Sequence, residues 1–248
     1  MRSGTLKPLM IGIGNFLFKW RNGLFPVIVL ILFAAAAPPA TIAGSERLES
    51  VKDILALLVA GAGVAMRGVT IGYAYIKRGG LNKKVYADTL VTAGVFSLCR
   101  NPLYLGNMLI FAGIFLMHGN PLVLVPGIVL FVFIYQCIIY AEENFLESKF
   151  GDTFRAYCAD VPRWLPRLSR FSDATEGMAF NLRRLIVKDY ATFSTVVVAM
   201  ALTEIYEYSA APGGREAHGG YLMLMVALIV LSALWAVFFR SYRKKIKL

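Results

Sequence analysis

A chain of 248 residues could form one or two ordinary domains, but 58% of this chain is hydrophobic and its mean hydropathy is +0.62, which excludes an ordinary soluble globule. The net charge of +11 would suggest nucleic acid as the partner of a soluble protein. In a membrane protein basic residues instead collect at cytoplasmic loops, so no nucleic-acid partner is expected. The composition predicts an all-α, polytopic helical membrane protein.

Six apolar segments approach the length of about 20 residues that a helix needs to cross a bilayer. Residues 1–23 mix aromatic and basic side chains, which is typical of a segment at the membrane interface, and residues 46–53 form a charged loop. An alternative for the first apolar segment is a signal peptide cleaved near Gly44. The predicted spans are 24–43, 54–76, 103–117, 122–140, 192–208 and 221–239.

The basic residues predict the orientation of these spans. With six spans, 22 of the 26 Lys and Arg residues fall on one side of the membrane. Because basic loops stay in the cytoplasm, both termini are predicted to be cytoplasmic.

Polar residues sit at both ends of the third and fourth spans. A short turn at 118–121 makes these two helices antiparallel neighbours, so residues 88–104 and 141–166 should meet on the cytoplasmic side. The loop 77–101 carries a turn signal at Gly79-Gly80, and its second half, 89–99, is apolar enough to enter the interface.

Arg67 lies well inside the second predicted span. A charged residue there costs about 2.5 kcal/mol or more unless it finds a partner or water. Its side chain either extends toward the cytoplasmic face, or binds a partner on another helix or an anionic group.

Each polar motif also has a purely structural interpretation. Asn101 and Pro102 suit the cap and first turn of a helix. Glu142 and Glu143 could be solvated charges at a helix end, and the segment 161–166 could be a tryptophan–arginine membrane anchor. The three cysteines, Cys99, Cys137 and Cys158, show no C-x-x-C spacing, so neither a disulfide framework nor a metal site is predicted.

Taken in order, the motifs resemble the isoprenylcysteine carboxyl methyltransferase and phospholipid N-methyltransferase superfamily of integral membrane enzymes. The pattern of that superfamily is L-V-T-x-G-x-Y, R-H-P-x-Y-x-G, an apolar hairpin, E-E-x-x-L-x-x-x-F-G and V-P-R. The matching segments here are Leu90-Val-Thr-Ala-Gly-Val-Phe96, Arg100-Asn-Pro-Leu-Tyr-Leu-Gly106, Glu142-Glu-Asn-Phe-Leu-Glu-Ser-Lys-Phe-Gly151 and Val161-Pro-Arg163.

The resemblance implies S-adenosylmethionine as cofactor, in a pocket at the cytoplasmic face, and a membrane lipid or lipid-linked acceptor. It divides the chain into an N-terminal region, 1–53, a methyltransferase-like core, 54–166, and a basic segment with two further spans, 167–248. Residues near the acceptor, with candidate catalytic roles, are Arg67, Tyr157 and Arg163. The implied cofactor-binding residues are Leu90, Val91, Phe96, Arg100, Asn101, Pro102, Leu103, Tyr104, Gly106, Glu142 and Glu143.

Three positions depart from the pattern. Asn101 replaces a histidine and cannot carry a proton, and Phe96 replaces a tyrosine. Prenylcysteine enzymes place an arginine about one turn before the paired glutamates, whereas 137–140 contains no basic residue, which argues against a prenylcysteine carboxylate as the acceptor.

The resulting hypothesis is a cytoplasm-facing membrane methyltransferase that uses S-adenosylmethionine. Two alternatives stay open: a membrane reductase that uses NADPH, as in the related sterol reductases, and a non-catalytic scaffold. The acceptor atom, the lipid and the oligomeric state are not predicted.

Overall fold

The computed structural model describes residues 6–73, 85–211 and 214–245. Nine α-helices occur in these ranges. They are α1 Leu6–Ala35, α2 Glu46–Tyr73, α3 Pro102–His118, α4 Pro121–Phe150, α5 Asp152–Asp160, α6 Phe171–Thr175, α7 Leu182–Ala210, α8 Gly214–Ala217 and α9 Gly219–Lys245. Short 3₁₀ turns lie at Gly94–Ser97 and Leu168–Arg170.

Within the described residues, five helices are long and apolar enough to cross a membrane: α1, α2, α4, α7 and α9. The predicted class, a polytopic helical membrane protein, is therefore confirmed. The third predicted span corresponds to α3, which is apolar but has only 17 residues. At about 1.5 Å per residue it is somewhat shorter than the hydrocarbon core.

Two predicted boundaries near the N-terminus are wrong. The first span is predicted at 24–43, whereas the helix is continuous from Leu6 to Ala35. It includes Lys19 and Arg21 because the backbone hydrogen bonds of a helix continue past charged side chains. The helix stops shortly before Pro38-Pro39, which cannot donate backbone hydrogen bonds. The charged residues 46–53, predicted as a loop, form the first two turns of α2.

The other helices start or end beyond the predicted spans, and the predicted turn at 118–121 is confirmed. Gly119 and Asn120 connect α3 and α4, with the Asn120 side chain accepting from the Leu122 amide. Gly151, at φ 53°, separates α4 from the short helix α5; only glycine adopts this backbone conformation easily. The predicted end of the second span at residue 76 and the turn at Gly79-Gly80 lie outside the described residues.

The helices pack as a row in the order α1, α4, α3, α2. Helix α7 packs against both α2 and α3, and α9 packs against α7. Aromatic residues of α1, α3 and α4 fill one core cluster, including Phe25, Phe115 and Phe131. Smaller side chains fill a second cluster among α2, α3 and α7. The row places the start of α3 beside the end of the apolar part of α4.

Candidate functional site

The two motif-bearing segments pair through their backbones at one end of the α3–α4 hairpin. The Arg100 amide donates to the Pro162 carbonyl over 2.9 Å, and the Arg167 amide donates to the Leu98 carbonyl over 3.2 Å. The Asn101 side chain donates to the Arg163 carbonyl over 3.2 Å. The segment before α3 and the segment after α5 therefore form one structural unit.

Asn101 and Pro102 begin α3, as predicted, but the capping role predicted for the Asn101 side chain is wrong. Asn101 occupies the N-cap position without making a side-chain cap hydrogen bond. Its amide is used to bind the second segment instead.

Tyr104 and Glu142 join α3 to α4. The Tyr104 hydroxyl donates to a Glu142 carboxylate oxygen over 2.5 Å, and the Tyr104 ring packs 5.4 Å from the ring of Tyr135. Arg21, on α1, interacts electrostatically with the same carboxylate. Glu142 thus lies just beyond the apolar part of α4, and its side chain interacts with Tyr104 of α3 and Arg21 of α1.

Glu143 belongs to a different group, with two arginines. Arg163 binds it with both ends of its guanidinium, at 3.1 Å from Nε and 2.6 Å from Nη2, and Arg100 Nη2 lies 3.5 Å away. The Arg163 guanidinium also covers the Tyr140 ring at 5.1 Å. Burial alone would lower the pKa of Arg163, but the Glu143 carboxylate raises it overall. Two guanidinium groups face one carboxylate, so positive charge is in excess in this group.

Arg100 is only partly satisfied. Its Nη1 donates to the Cys158 carbonyl over 2.9 Å, while its buried Nε has no hydrogen-bond partner among the described residues. A buried donor without a partner costs free energy, so Arg100 keeps hydrogen-bonding capacity that the described residues leave unused.

A cavity of about 240 Å³ opens beside these arginines. Its lining includes Arg100, Tyr140, Glu143 and Arg163, with Lys7 of α1 at its edge. Four basic residues line the cavity, against two acidic residues, Glu143 and Glu147. Positive charge is therefore in excess there, and most of it comes from residues outside α4 and α5.

Tyr157 supports the site through the backbone. Its hydroxyl donates to the Phe96 carbonyl over 2.7 Å, and burial raises the pKa of Tyr157 above its usual value. This bond fixes the 3₁₀ turn that carries Phe96. Leu90 and Val91 lie in the irregular segment before this turn, half-buried, and do not line the cavity.

Arg67 is bound within the helix row. It donates to both carboxylate oxygens of Asp189 on α7, over 3.1 and 2.5 Å, and to Asn107 on α3 over 2.5 Å. Asn107 also hydrogen bonds with Tyr135, the residue that packs against Tyr104. The structure therefore connects Arg67 to the Tyr104–Glu142 pair through two intermediate side chains.

The remaining predicted residues have packing positions. Pro102 is buried and Leu103 half-buried at the start of α3. Gly106 faces α2, where a Cβ atom would come 2.7 Å from the Arg67 side chain and 2.8 Å from the Gly63 carbonyl. Gly106 therefore allows Arg67 to pass between the two helices.

Sequence reasoning missed three members of this network: Asn107, Tyr135 and Asp189. Asn107 lies one turn after Tyr104 on α3 and could have been found from that spacing. Tyr135 lies in an uninterrupted apolar span, and Asp189 lies 122 residues after Arg67, so neither carries a local signal.

The chain is similar to one protein family and to two named proteins. The phospholipid methyltransferase family matches residues 56–153, which include Arg67 and the Tyr104–Glu142 pair. A cobalt-zinc-cadmium resistance protein, CzcN, from Cupriavidus metallidurans is 31% identical over 158 residues, 63% of this chain and 68% of that protein. A nickel-cobalt-cadmium resistance protein, NccN, from Alcaligenes xylosoxydans xylosoxydans is 29% identical, over 63% of this chain and 70% of that protein. No solved structure matches the chain significantly.

Proposed function

Because this chain belongs to the phospholipid methyltransferase family, part of the superfamily of isoprenylcysteine carboxyl and phospholipid methyltransferases, we propose that it is an S-adenosylmethionine-dependent methyltransferase of the membrane. Its acceptor is a lipid or a lipid-linked small molecule. The observation that carries the proposal is the convergence of the two motif segments, with Tyr104–Glu142 and Arg100–Glu143–Arg163 side by side.

The charges of the site suit the amino-acid end of S-adenosylmethionine. Glu142 can bind an ammonium group, and Arg100, with its unpaired Nε, can bind a carboxylate. The rings of Tyr104 and Tyr135 provide faces that attract a cation such as a sulfonium. The cavity is lined by Arg100 and Arg163 but not by Glu142 or the two tyrosines. Its volume of about 240 Å³ is smaller than the roughly 300–1,000 Å³ of typical ligand pockets, so it suits the carboxylate end of the cofactor better than the whole molecule.

When bound, S-adenosylmethionine supplies an electrophilic methyl group on a sulfonium. The protein's own task is to orient donor and acceptor and to exclude water, since a near-attack geometry provides much of the rate enhancement of such a displacement. Glu142 and Arg100 hold and orient the donor in this proposal. Arg163, which the sequence predicts near the acceptor, shares Glu143 with Arg100 and is therefore reassigned to the donor end. Arg67 is a positioning residue, because it acts through Asn107 and Tyr135 on Tyr104.

Binding distinguishes the methyltransferase from the reductase and the scaffold. The purified protein in lipid nanodiscs is titrated with S-adenosylhomocysteine and, separately, with NADPH. Saturable binding of S-adenosylhomocysteine alone is expected. Binding of NADPH alone would favour the reductase, and binding of neither would favour the scaffold.

Catalysis and the acceptor are tested together with radiolabelled S-adenosylmethionine and a native lipid extract. We expect label in a lipid fraction with the wild type and much less with Glu142→Gln. Absence of label from every fraction would contradict the proposed activity even if S-adenosylhomocysteine binds.

The cellular setting that the relatives suggest is resistance to divalent transition metals, because both are named as resistance proteins. We propose that methylation by this chain contributes to such resistance. Cells lacking the gene should grow less well with cobalt, zinc or cadmium, and the wild type but not Glu142→Gln should restore growth. Full restoration by Glu142→Gln would separate resistance from methyl transfer.

A further inference from the structure

A second polar cluster lies at the opposite end of the helix row, around Lys52 of α2. The Lys52 ammonium contacts Glu49 and lies 3.1 Å from Asp53, 3.2 Å from Glu207 of α7 and 2.6 Å from the Met117 carbonyl of α3. Met117 is 13 residues after Tyr104, so the two sites are about 20 Å apart along α3. The family motifs contribute nothing to this cluster.

Negative charge exceeds positive charge in this buried region. Glu49, Glu204 and Glu207 are 4%, 3% and 1% exposed, and Lys52 is 7% exposed. Together with Asp53, four carboxyl groups surround one ammonium group among the described residues. Burying charge without compensation is costly. The cluster therefore requires either a further positive charge or protonation of some of its carboxyl groups.

Several carboxylate oxygens of the cluster have no partner. Glu49 Oε2, Glu204 Oε1 and Glu207 Oε1 are buried and make no hydrogen bond within the described part of the chain. An ionised carboxylate can only accept, and buried acceptors are normally satisfied. The cluster is therefore not only acidic: it also contains buried carboxylate oxygens that lack a hydrogen-bond donor among the described residues.

The oxygens are also close enough for a common ligand. One carboxylate oxygen from each of Glu49, Asp53 and Glu207 lies within 4.8 Å of the other two, and the Met117 carbonyl is directed at the same place through Lys52. Carboxylate and carbonyl oxygens are the ligands that hard divalent cations such as Ca²⁺ and Mn²⁺ prefer.

We propose that Glu49, Asp53 and Glu207 form a binding site for a hard divalent cation, and that the Lys52 ammonium and the cation occupy it alternately. A lysine ammonium is a point charge on a flexible four-carbon stem, and Lys52 lies in the second turn of α2, near the helix end. Its head can therefore turn toward the membrane surface. The unpaired oxygens then become available to an ion of higher charge.

The proposal does not depend on methyl transfer, because none of its residues touches the cavity at the other end of the row. Cation binding is measured on the full chain in phosphatidylcholine nanodiscs. Mn²⁺ serves as probe by electron paramagnetic resonance, and Ca²⁺ competes against it. Wild type should show one saturable site for Mn²⁺ that Ca²⁺ displaces.

Three variants locate the site. Glu207→Gln removes a ligand charge, and loss of a buried charged partner should weaken Mn²⁺ binding about 30-fold or more. Lys52→Met removes the competing ammonium and should tighten binding. Glu46→Gln changes an exposed residue at the start of the same helix, nearly two turns before Lys52. It is the matched control and should bind like wild type.

The opposite results overturn the proposal. Lack of saturable Mn²⁺ binding by wild type between pH 6 and 9 would mean that protons neutralise the cluster. Equal binding by wild type and Glu207→Gln would place the ion elsewhere, and weaker binding by Lys52→Met would contradict competition. If Lys52→Met does not fold, Lys52→Gln tests the same competition, and the comparison of wild type with Glu207→Gln still decides where the ion binds.

Discussion

Glu142 and Glu143 are neighbours in the chain but belong to different groups of contacts. Successive helical residues point about 100° apart, so Glu142 meets Tyr104 whereas Glu143 meets Arg163 and Arg100. Their separate partners make their proposed roles separable by mutation. Glu142 accepts a hydrogen bond from the neutral Tyr104 hydroxyl and interacts electrostatically with Arg21.

Glu142→Gln tests the binding of the cofactor's ammonium group. The amide keeps an oxygen that can accept from Tyr104, so the fold should be retained while the charge is lost. A charge-assisted hydrogen bond contributes about 1.5–3 kcal/mol, so the affinity for S-adenosylhomocysteine should fall by roughly 10- to 100-fold. Isothermal titration calorimetry in nanodiscs measures this change.

Asp160→Asn is the matched control, because Asp160 lies at the end of α5 outside the cavity lining and pairs loosely with Arg167. Its affinity should equal that of wild type. An unchanged affinity of Glu142→Gln would remove Glu142 from the cofactor site.

Asp189→Asn tests the buried pair with Arg67. Removing one partner of a buried ion pair leaves the other charge uncompensated, which typically costs about 3–5 kcal/mol. The thermal unfolding temperature of the detergent-purified protein should fall clearly. The double variant Arg67→Met, Asp189→Leu should be more stable than Asp189→Asn.

Asp152→Asn serves as the comparison for this pair, since Asp152 binds Arg155 on the surface and its loss should leave the unfolding temperature nearly unchanged. If Asp189→Asn unfolded like wild type, the Arg67–Asp189 contact would not contribute to stability.

The sequence predicted that the two motif segments meet, but few of the contacts between individual side chains. Motif order and hairpin geometry were sufficient to bring Arg100 and Tyr104 near Glu142 and Glu143. The partner of Arg67 could not be predicted, because Asp189 lies beyond the motifs and its side chain meets Arg67 only when α7 packs on α2. The side chain of Asn101 was predicted to cap α3, because capping can be recognised from a few neighbouring residues. It binds the Arg163 carbonyl instead, and a contact between residues so far apart in the chain has no local signal.

At the scale of the helices, the crossing of α2 and α3 depends on small residues. Gly63 and Gly106 face each other, and Gly113 lies against Ala56 and Ala60. In membranes, small residues let helix backbones approach closely and gain van der Waals contact. This close approach sets the position of Arg67 relative to Asn107.

Gly113→Ala should destabilise this crossing. The added methyl group would lie 2.7 Å from the Ala60 backbone nitrogen and 2.8 Å from the Ala56 carbonyl oxygen, and backbone atoms cannot move aside as a side chain can. Overpacking of this kind costs about 1–3 kcal/mol. Thermal unfolding of the purified protein should show a lower midpoint.

The control is Gly61→Ala on α2, where a Cβ atom meets nothing within 4 Å. Alanine is the better helix former by about 1 kcal/mol, so this variant should be as stable as wild type or slightly more stable. If the Gly113→Ala protein were as stable as the Gly61→Ala protein, the close approach of α2 and α3 at Gly113 would not contribute to stability.

Helix type and order were predictable, whereas the ends of α1 and α2 were not. Hydropathy changes at Lys19, Arg21 and residues 46–53, and the prediction placed helix boundaries at those changes. The physical boundary is set by backbone hydrogen bonding, which Pro38-Pro39 interrupts and a charged side chain does not. The charged residues of α1 lie near the candidate site at one end of the row. Those at the start of α2 form the Lys52 cluster at the other end.

At the scale of the whole molecule, α7 joins the two ends. Its first half holds Asp189 against Arg67, and its second half holds Glu207 against Lys52. The basic residues collect at the end that contains the Tyr104–Glu142 site, and the acidic cluster lies at the other. The positive-inside rule therefore predicts that the candidate methyltransferase site faces the cytoplasm and the Lys52 cluster faces the other side.

Cysteine labelling in intact cells tests this orientation. In a Cys158→Ser background, which leaves the two buried cysteines Cys99 and Cys137, single cysteines replace the exposed residues Glu46 and Ser148. A membrane-impermeant maleimide should label Glu46→Cys in intact cells and Ser148→Cys only after lysis. Labelling of Ser148→Cys in intact cells would show that the predicted orientation is wrong. The proposed donor site would then face away from the cytoplasm, where S-adenosylmethionine has no access to it.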